Sequence, residues 1–173
     1  MNDIPLISWR PTMEAGPKKA IPVKPEGVAK IINRAERPSL AIGALIVEND
    51  RLIEFVDRLN KAGISIVATA HSIKYTTERV IPAYKAGIVE VTNLLTDPSW
   101  EGFDGKGKPD VLLVMAINLD LENATFESLK NYSDVKSICI DRYFMINATY
   151  SFPSLTEEIW IEYLERLCEE LGV

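Results

Sequence analysis

His71 is the single histidine of the sequence, and Cys139 and Cys168 are its two thiols. Histidine is the side chain that exchanges a proton near neutral pH, so His71 is the candidate general base. Thr69 and Ser72 beside it could offer hydroxyls to a ligand. Its spacing pairs it with neither cysteine and with no orienting acid, which favours a structural or pocket-lining histidine over a catalytic one. An iron–sulfur cluster takes four thiolates and a structural zinc site four Cys or His ligands, more than this chain supplies by itself. Cys139 lies in a strand-like run, Ser-Ile-Cys-Ile-Asp, and Cys168 on the apolar side of a helix. Both read as small buried core residues.

Phosphate chemistry would need a glycine-led turn. Gly43 closes an apolar run, but Ala44, Leu45 and Ile46 follow it. A dinucleotide fingerprint places a second glycine there so that pyrophosphate can approach the backbone. Gly105-Lys-Gly107-Lys sits in a loop that does not open a helix, and reads as a plain turn. Asp141, at the end of a strand, could hold a ribose or an arginine; equally it could pair with Arg142 or cap the next turn. Asn123-Ala-Thr125 and Asn147-Ala-Thr149 match glycosylation triplets, which a cytoplasmic chain leaves unused.

The elements that must position these residues follow from composition and period. The 173 residues are 47% hydrophobic and 25% charged, which excludes disorder, collagen and coiled coil. No apolar run approaches the ~20 residues of a membrane span, and the N-terminus lacks the basic and apolar regions of a signal peptide. With few disulfide candidates, a cytoplasmic setting is expected. The net charge of −6 argues against a nucleic-acid partner. That charge is uneven. Residues 1–38 carry seven basic and four acidic side chains, whereas residues 155–173 carry one basic and six acidic. Solvated helix faces explain this, and so does a docking polarity toward a protein partner.

Five prolines interrupt residues 1–25, so residues 1–24 read as an extended arm whose Ile4, Leu6, Ile7 and Trp9 lie across the body or a partner. Residues 25–173 read as one domain. Apolar spacing predicts helices over 26–36, 49–62 (capped by Asn49 or Asp50), about 120–132, and from a Ser154-Leu-Thr-Glu157 capping box onward. Buried strands are expected at 39–47, 64–69, 111–116 and 135–141. Residues 88–95 suit a helix or a strand, and 96–110 form a loop with three Gly and two Pro. Alternating strands and helices imply a doubly wound α/β domain with a mostly parallel sheet. Ligands bind such sheets beyond the carboxyl ends of the strands, at the switch point. The candidate loops are therefore Gly43 to Val47, Thr69 to Ser72, Ala116 to Asn118 and Asp141 to Tyr143.

Two stretches carry resemblances. Residues 25–73, with a helix ending in Ala-x-Arg-Pro and leading into a strand and a glycine, resemble the central domain of thiamine-diphosphate enzymes. That resemblance implies a Rossmann-like sheet of six parallel strands ordered 3-2-1-4-5-6, with a sixth strand near 147–152, and relatives that hold FAD or NAD. The second is more specific. Residues 94–115 and 131–152, with Leu-Thr-Asp-Pro-x-Trp, Phe-Asp-Gly-x-Gly, Ser-Asp-Val-Lys and Ile-Asp-Arg-Tyr…Asn-Ala-Thr…Ser-Phe, resemble the epsilon subunits of the archaeal carbon monoxide dehydrogenase/acetyl-CoA decarbonylase-synthase complex. The resemblance implies an accessory, non-catalytic subunit in one-carbon and acetyl-CoA metabolism and methanogenesis. Its expected partner is the alpha subunit, as two alpha and two epsilon chains, within a larger complex that also holds beta, gamma and delta subunits. Nickel and iron–sulfur clusters then reside on alpha. Epsilon stabilises the assembly or assists electron transfer to FAD. A flavin, if bound, is expected beside Gly43, Ala44, Thr69, His71, Ala116, Asn118 and Asp141. The competing expectation is an independent small FAD- or NAD-binding oxidoreductase. The proline-rich arm and the loop around Trp100, Phe103 and Asp104 are the expected contact surface for alpha.

Overall fold

A computed structural model describes residues 9–173; Ile4, Leu6 and Ile7 of the arm lie outside the described residues. Apolar runs with no polar alternation stack into one parallel sheet whose two faces are both covered. Strands β1 (Ile21–Pro22), β2 (Pro38–Ile42), β3 (Ser65–Ala68), β4 (Ala83–Lys85), β5 (Val111–Met115), β6 (Lys136–Cys139) and β7 (Tyr150–Ser151) lie in the order β1-β7-β6-β5-β2-β3-β4. The expected six-strand sheet is corrected to seven strands, and its order changes accordingly. The arm supplies an additional strand outside β7; the other six run in the 3-2-1-4-5-6 sequence.

Side-chain alternation sorts the core into two layers. Leu40, Ile42, Ile66, Leu113, Met115 and Ile138 point toward helices α1 (Pro25–Arg34), α2 (Leu52–Lys61) and α6 (Glu157–Glu170). Ala41, Val67, Leu112, Val114 and Cys139 point toward α4 (Ile88–Thr96) and α5 (Leu119–Tyr132). Successive residues of a strand face opposite sides, which is why each strand reads as continuously apolar.

Several boundaries move, each for a local reason. The strand expected over 39–47 ends at Ile42, because residues 44–48 wind into a 3₁₀ turn after Gly43. Residues 88–95, open between helix and strand, are helical. Segment 70–87, with its weak period, holds the short helix α3 (Ile73–Glu78) and β4. The last helix is capped by Thr156, whose hydroxyl accepts from the Ile159 N–H, and not by Ser154. Ser154 instead accepts from the Phe144 N–H at 3.0 Å and donates to the Trp9 carbonyl. No helix among the described residues is long and apolar enough to cross a membrane.

The arm is fastened from Trp9 onward. Trp9 meets Tyr143 edge to face at 6.1 Å, and Ala20 N–H donates to the Ile146 carbonyl at 2.8 Å. Between them, Asn147, fully buried, accepts from the Ala15 N–H at 2.9 Å and donates to the Met13 carbonyl at 3.1 Å. Lys130 reaches the carbonyls of Ala15 and Lys18 and, at 2.8 Å, Asn147 Oδ1. The loop over 97–110 is fastened as well. Arg37 pairs with Asp104 at 2.6 Å, and Phe103 stacks on Tyr84 at 4.9 Å and meets Trp100 edge to face at 5.0 Å.

Candidate functional site

Strand order reverses between β2 and β5, so the loops after these strands diverge to opposite faces and leave a crevice. The crevice is a cleft of about 620 Å³ lined by Leu45, Asn49, Asn118, Asp141, Tyr143 and Trp160 among others. It lies at the carboxyl ends of the strands, and so is the site that the fold itself nominates. Of the seven residues expected to form a site, Ala116, Asn118 and Asp141 line it. Gly43 is buried beneath the β5 loop, whereas Ala44, Thr69 and His71 do not line the cleft.

Each side chain there already has a structural partner. Asn118 is the N-cap of α5, its oxygen accepting from the Asp120 N–H at 3.0 Å. Asp141 is buried; one oxygen accepts from the Ala116 N–H at 2.8 Å and the other from the Arg142 N–H at 3.1 Å. Burial pushes its carboxyl up to about 6, against the pull of these backbone donors. The bond to Ala116 has a purpose, because Ala116 sits at φ +61°, a left-handed conformation that costs a non-glycine residue roughly 1–2 kcal/mol. The Asp141 carboxylate holds that turn in place. Of the readings open for Asp141, the backbone-capping one describes its observed bonds.

The hydroxyls near His71 are also engaged. Ser72, fully buried, donates to the Ile42 and Thr69 carbonyls, each at 3.1 Å, and stands 3.2 Å from the Thr69 hydroxyl. His71 itself is exposed. Both thiols are fully buried: desolvation pushes Cys168 up to about 11 and Cys139 well above its ordinary value. Among the described residues no group of three or more His, Cys, Asp and Glu could hold a metal ion.

A dinucleotide is the ligand this fold implies. A phosphate cradle needs free backbone N–H groups at a helix N-terminus. Here the Gly43 N–H donates to the Met115 carbonyl at 3.3 Å and the Leu45 N–H to the Ala116 carbonyl at 3.0 Å. The helix after β2 starts only at Leu52, with the 3₁₀ turn of residues 44–48 between it and Gly43. Around the cleft, Glu48, Asp120, Asp141 and Glu157 stand against one guanidinium, Arg142. The two donors beside Gly43 are engaged within the chain, and the charge does not fit a pyrophosphate.

Sequence reasoning passed over Glu122. It falls on the core-facing stripe Leu119, Glu122, Phe126, Leu129 of α5, and a carboxyl on that stripe was the available signal. Glu122 is fully buried, with one oxygen 3.3 Å from the Cys139 thiol that donates to it. Its second oxygen has no partner among the described residues. Desolvation, then the nearby Asp141 charge, raise its carboxyl well above the ordinary range; the Cys139 thiol offsets this in part. Arg142, expected only as one alternative partner of Asp141, and Tyr143, expected only as the end of a candidate loop, also line the cleft.

Comparison with known proteins supplies what the site does not. Residues 1–170 match the model of the family described as CO dehydrogenase beta subunit/acetyl-CoA synthase epsilon subunit. A relative from Methanothermobacter thermautotrophicus named acetyl-CoA decarbonylase/synthase complex subunit epsilon is 36% identical over 166 residues, covering 95% of this chain and 96% of its own. One of the same name from Methanothrix soehngenii is 36% identical over 81% of this chain and 76% of its own. Subunit epsilon 1 of Archaeoglobus fulgidus is 34% identical over 89% and 86%. With agreement running from the arm to the last helix, the chain belongs to the family of CO dehydrogenase beta subunits and acetyl-CoA synthase epsilon subunits.

Proposed function

We propose that this chain is the epsilon-type accessory subunit of an acetyl-CoA decarbonylase/synthase complex. It binds the large alpha subunit, two chains to two, and stabilises the assembly in which alpha carries the nickel and iron–sulfur chemistry. The observation that carries this reading is the end-to-end match to relatives of that name, over 95% of this chain and 96% of the relative. The site supports it, since an exposed lone histidine, two buried thiols and a backbone-capping carboxylate do not pair a nucleophile with a base. Assistance to electron transfer is read as indirect, through keeping alpha assembled. In the loops after β2 and β5, the Gly43, Leu45 and Ala116 N–H groups are already bonded within the chain, which speaks against a flavin pyrophosphate there.

Trp9 and Met13, 68% and 86% exposed, present apolar surface from an arm that is itself fastened down. Trp100 and Phe103 pack against the core instead, so truncating Trp100 tests folding before docking. Co-expression with the alpha subunit tests the proposal. The expected result is co-elution on size exclusion and a longer half-life of CO oxidation on heating than for alpha alone. Separate elution with an unchanged half-life overturns it.

A further inference from the structure

We infer that the switch point of this sheet is closed from within: Ala116 and Ile117 occupy the place over Gly43 where a dinucleotide's pyrophosphate would approach. In nucleotide-binding sheets a glycine after the first strand exists to let phosphate near the backbone. Here the same glycine lets the chain approach itself. A methyl group built on Gly43 would lie 2.6 Å from the Ala116 carbonyl oxygen, 2.7 Å from Ile117 Cγ1 and 3.0 Å from Ile117 Cα. Two of those three atoms are backbone, so no side-chain rotation relieves them.

The closure is built, with bonds on both sides. Gly43 and Leu45 donate their N–H groups to the Met115 and Ala116 carbonyls, which ties the β2 loop to the β5 loop. Ala116 is held at φ +61° by Asp141, a residue of the neighbouring β6 end. Ile117 is 4% exposed, and belongs to the core on the α4–α5 side of the sheet. The three loops that a nucleotide would part are therefore joined into one. What remains outside them is the acidic cleft, whose four carboxylates against Arg142 repel a diphosphate. Gly43 is thus a packing residue, and the chain by itself takes no FAD, NAD or ADP at this point. The inference does not rest on the accessory-subunit reading: loss of alpha binding would leave it standing.

Gly43→Ala separates the two roles of the glycine. If it serves self-packing, the substitution lowers the Tm of the purified chain by roughly 5–10 °C, the scale of overpacking in a domain of this size. Neither FAD nor ADP at about 1 mM, enough to half-fill a millimolar site, then shifts the amide resonances of Gly43, Ala116 and Ile117 in the unsubstituted chain. A wild-type Tm for Gly43→Ala overturns the inference, as do nucleotide-dependent shifts at those three amides. Should Gly43→Ala fail to fold, the amide titration of the unsubstituted chain decides alone.

Discussion

Glu122 and Asp141 bring two carboxyl groups into the interior near the ends of β5 and β6, and each is raised for the same first reason, burial. The consequence for stability has a definite sign. A carboxyl raised in the folded state keeps its proton there after the unfolded chain has lost it. Its contribution is therefore full below the unfolded value near pH 4 and is lost as pH rises to the folded value. For Asp141 that window closes at about 6. Glu122 acts in the same direction, and its own slope is at most about 1.4 kcal/mol per pH unit, the limit for one proton. Urea denaturation at a series of pH values above about 4 should show wild-type stability falling with pH and Glu122→Gln falling less steeply. A parallel fall in both would remove Glu122 from the account. Asp141→Ala, measured at pH 7.5 where the carboxylate is charged, should cost about 1.5–3 kcal/mol, because it strands the Ala116 and Arg142 N–H groups.

At the scale of elements, helix ends show where local chemistry was overridden. α3 stops in a turn in which the Ile81 N–H donates to the Thr76 carbonyl at 2.8 Å and the Val80 N–H to the Thr77 carbonyl at 3.1 Å. That pattern wants glycine at the left-handed position, yet Val80 stands there with φ +58° and is 86% exposed. A β-branched residue is poorly suited to this conformation. Val80→Gly should therefore raise stability by about 1 kcal/mol, read from the shift of the urea midpoint with an unchanged slope. α6 shows the opposite case, where a rule applies with a different residue: Thr156 caps it, while Ser154 ties the arm and the 144–154 turn together. The acidity of α6 is partly spent within the chain, since Glu165 pairs with Arg58 at 2.6 Å and Arg51 at 3.3 Å. Both sheet edges are short, with Pro22 in β1 and an exposed Lys85 in β4, which discourages strand addition by a partner.

For the whole molecule, the arm is part of the sheet. Its fastening converges on Asn147 and Lys130, which between them serve the backbone of residues 13, 15 and 18. Asn147→Ala removes the shared partner and should release this segment while leaving β2 to β6 paired. Limited trypsin digestion reads that directly: cleavage after Lys18 or Lys19 should become several-fold faster, with the body of the chain intact. Unchanged cleavage would mean that Asn147 is dispensable, the arm being held by Lys130, by the Trp9 contacts and by the pairing of β1 with β7.

Class and layers are legible in the order of residues, because period and continuous apolar runs report which faces are buried, and burial decides most of the folding free energy. The family is legible there too, through Ile-Asp-Arg-Tyr and its companion motifs. The short pieces stay open. β1 and β4 span two or three residues, too few for any period to register, and β7, equally short, is expected near 147–152 through the resemblance alone. The fate of the site was decided by tertiary structure alone. Gly43, Ala116 and Asp141 are 73 and 25 residues apart along the chain, and only parallel pairing of β2, β5 and β6 sets them against one another. A glycine that admits a phosphate and a glycine that admits a neighbouring loop are the same letter. Which of the two it is depends on the atoms that stand within 3.0 Å of where a methyl group on it would lie.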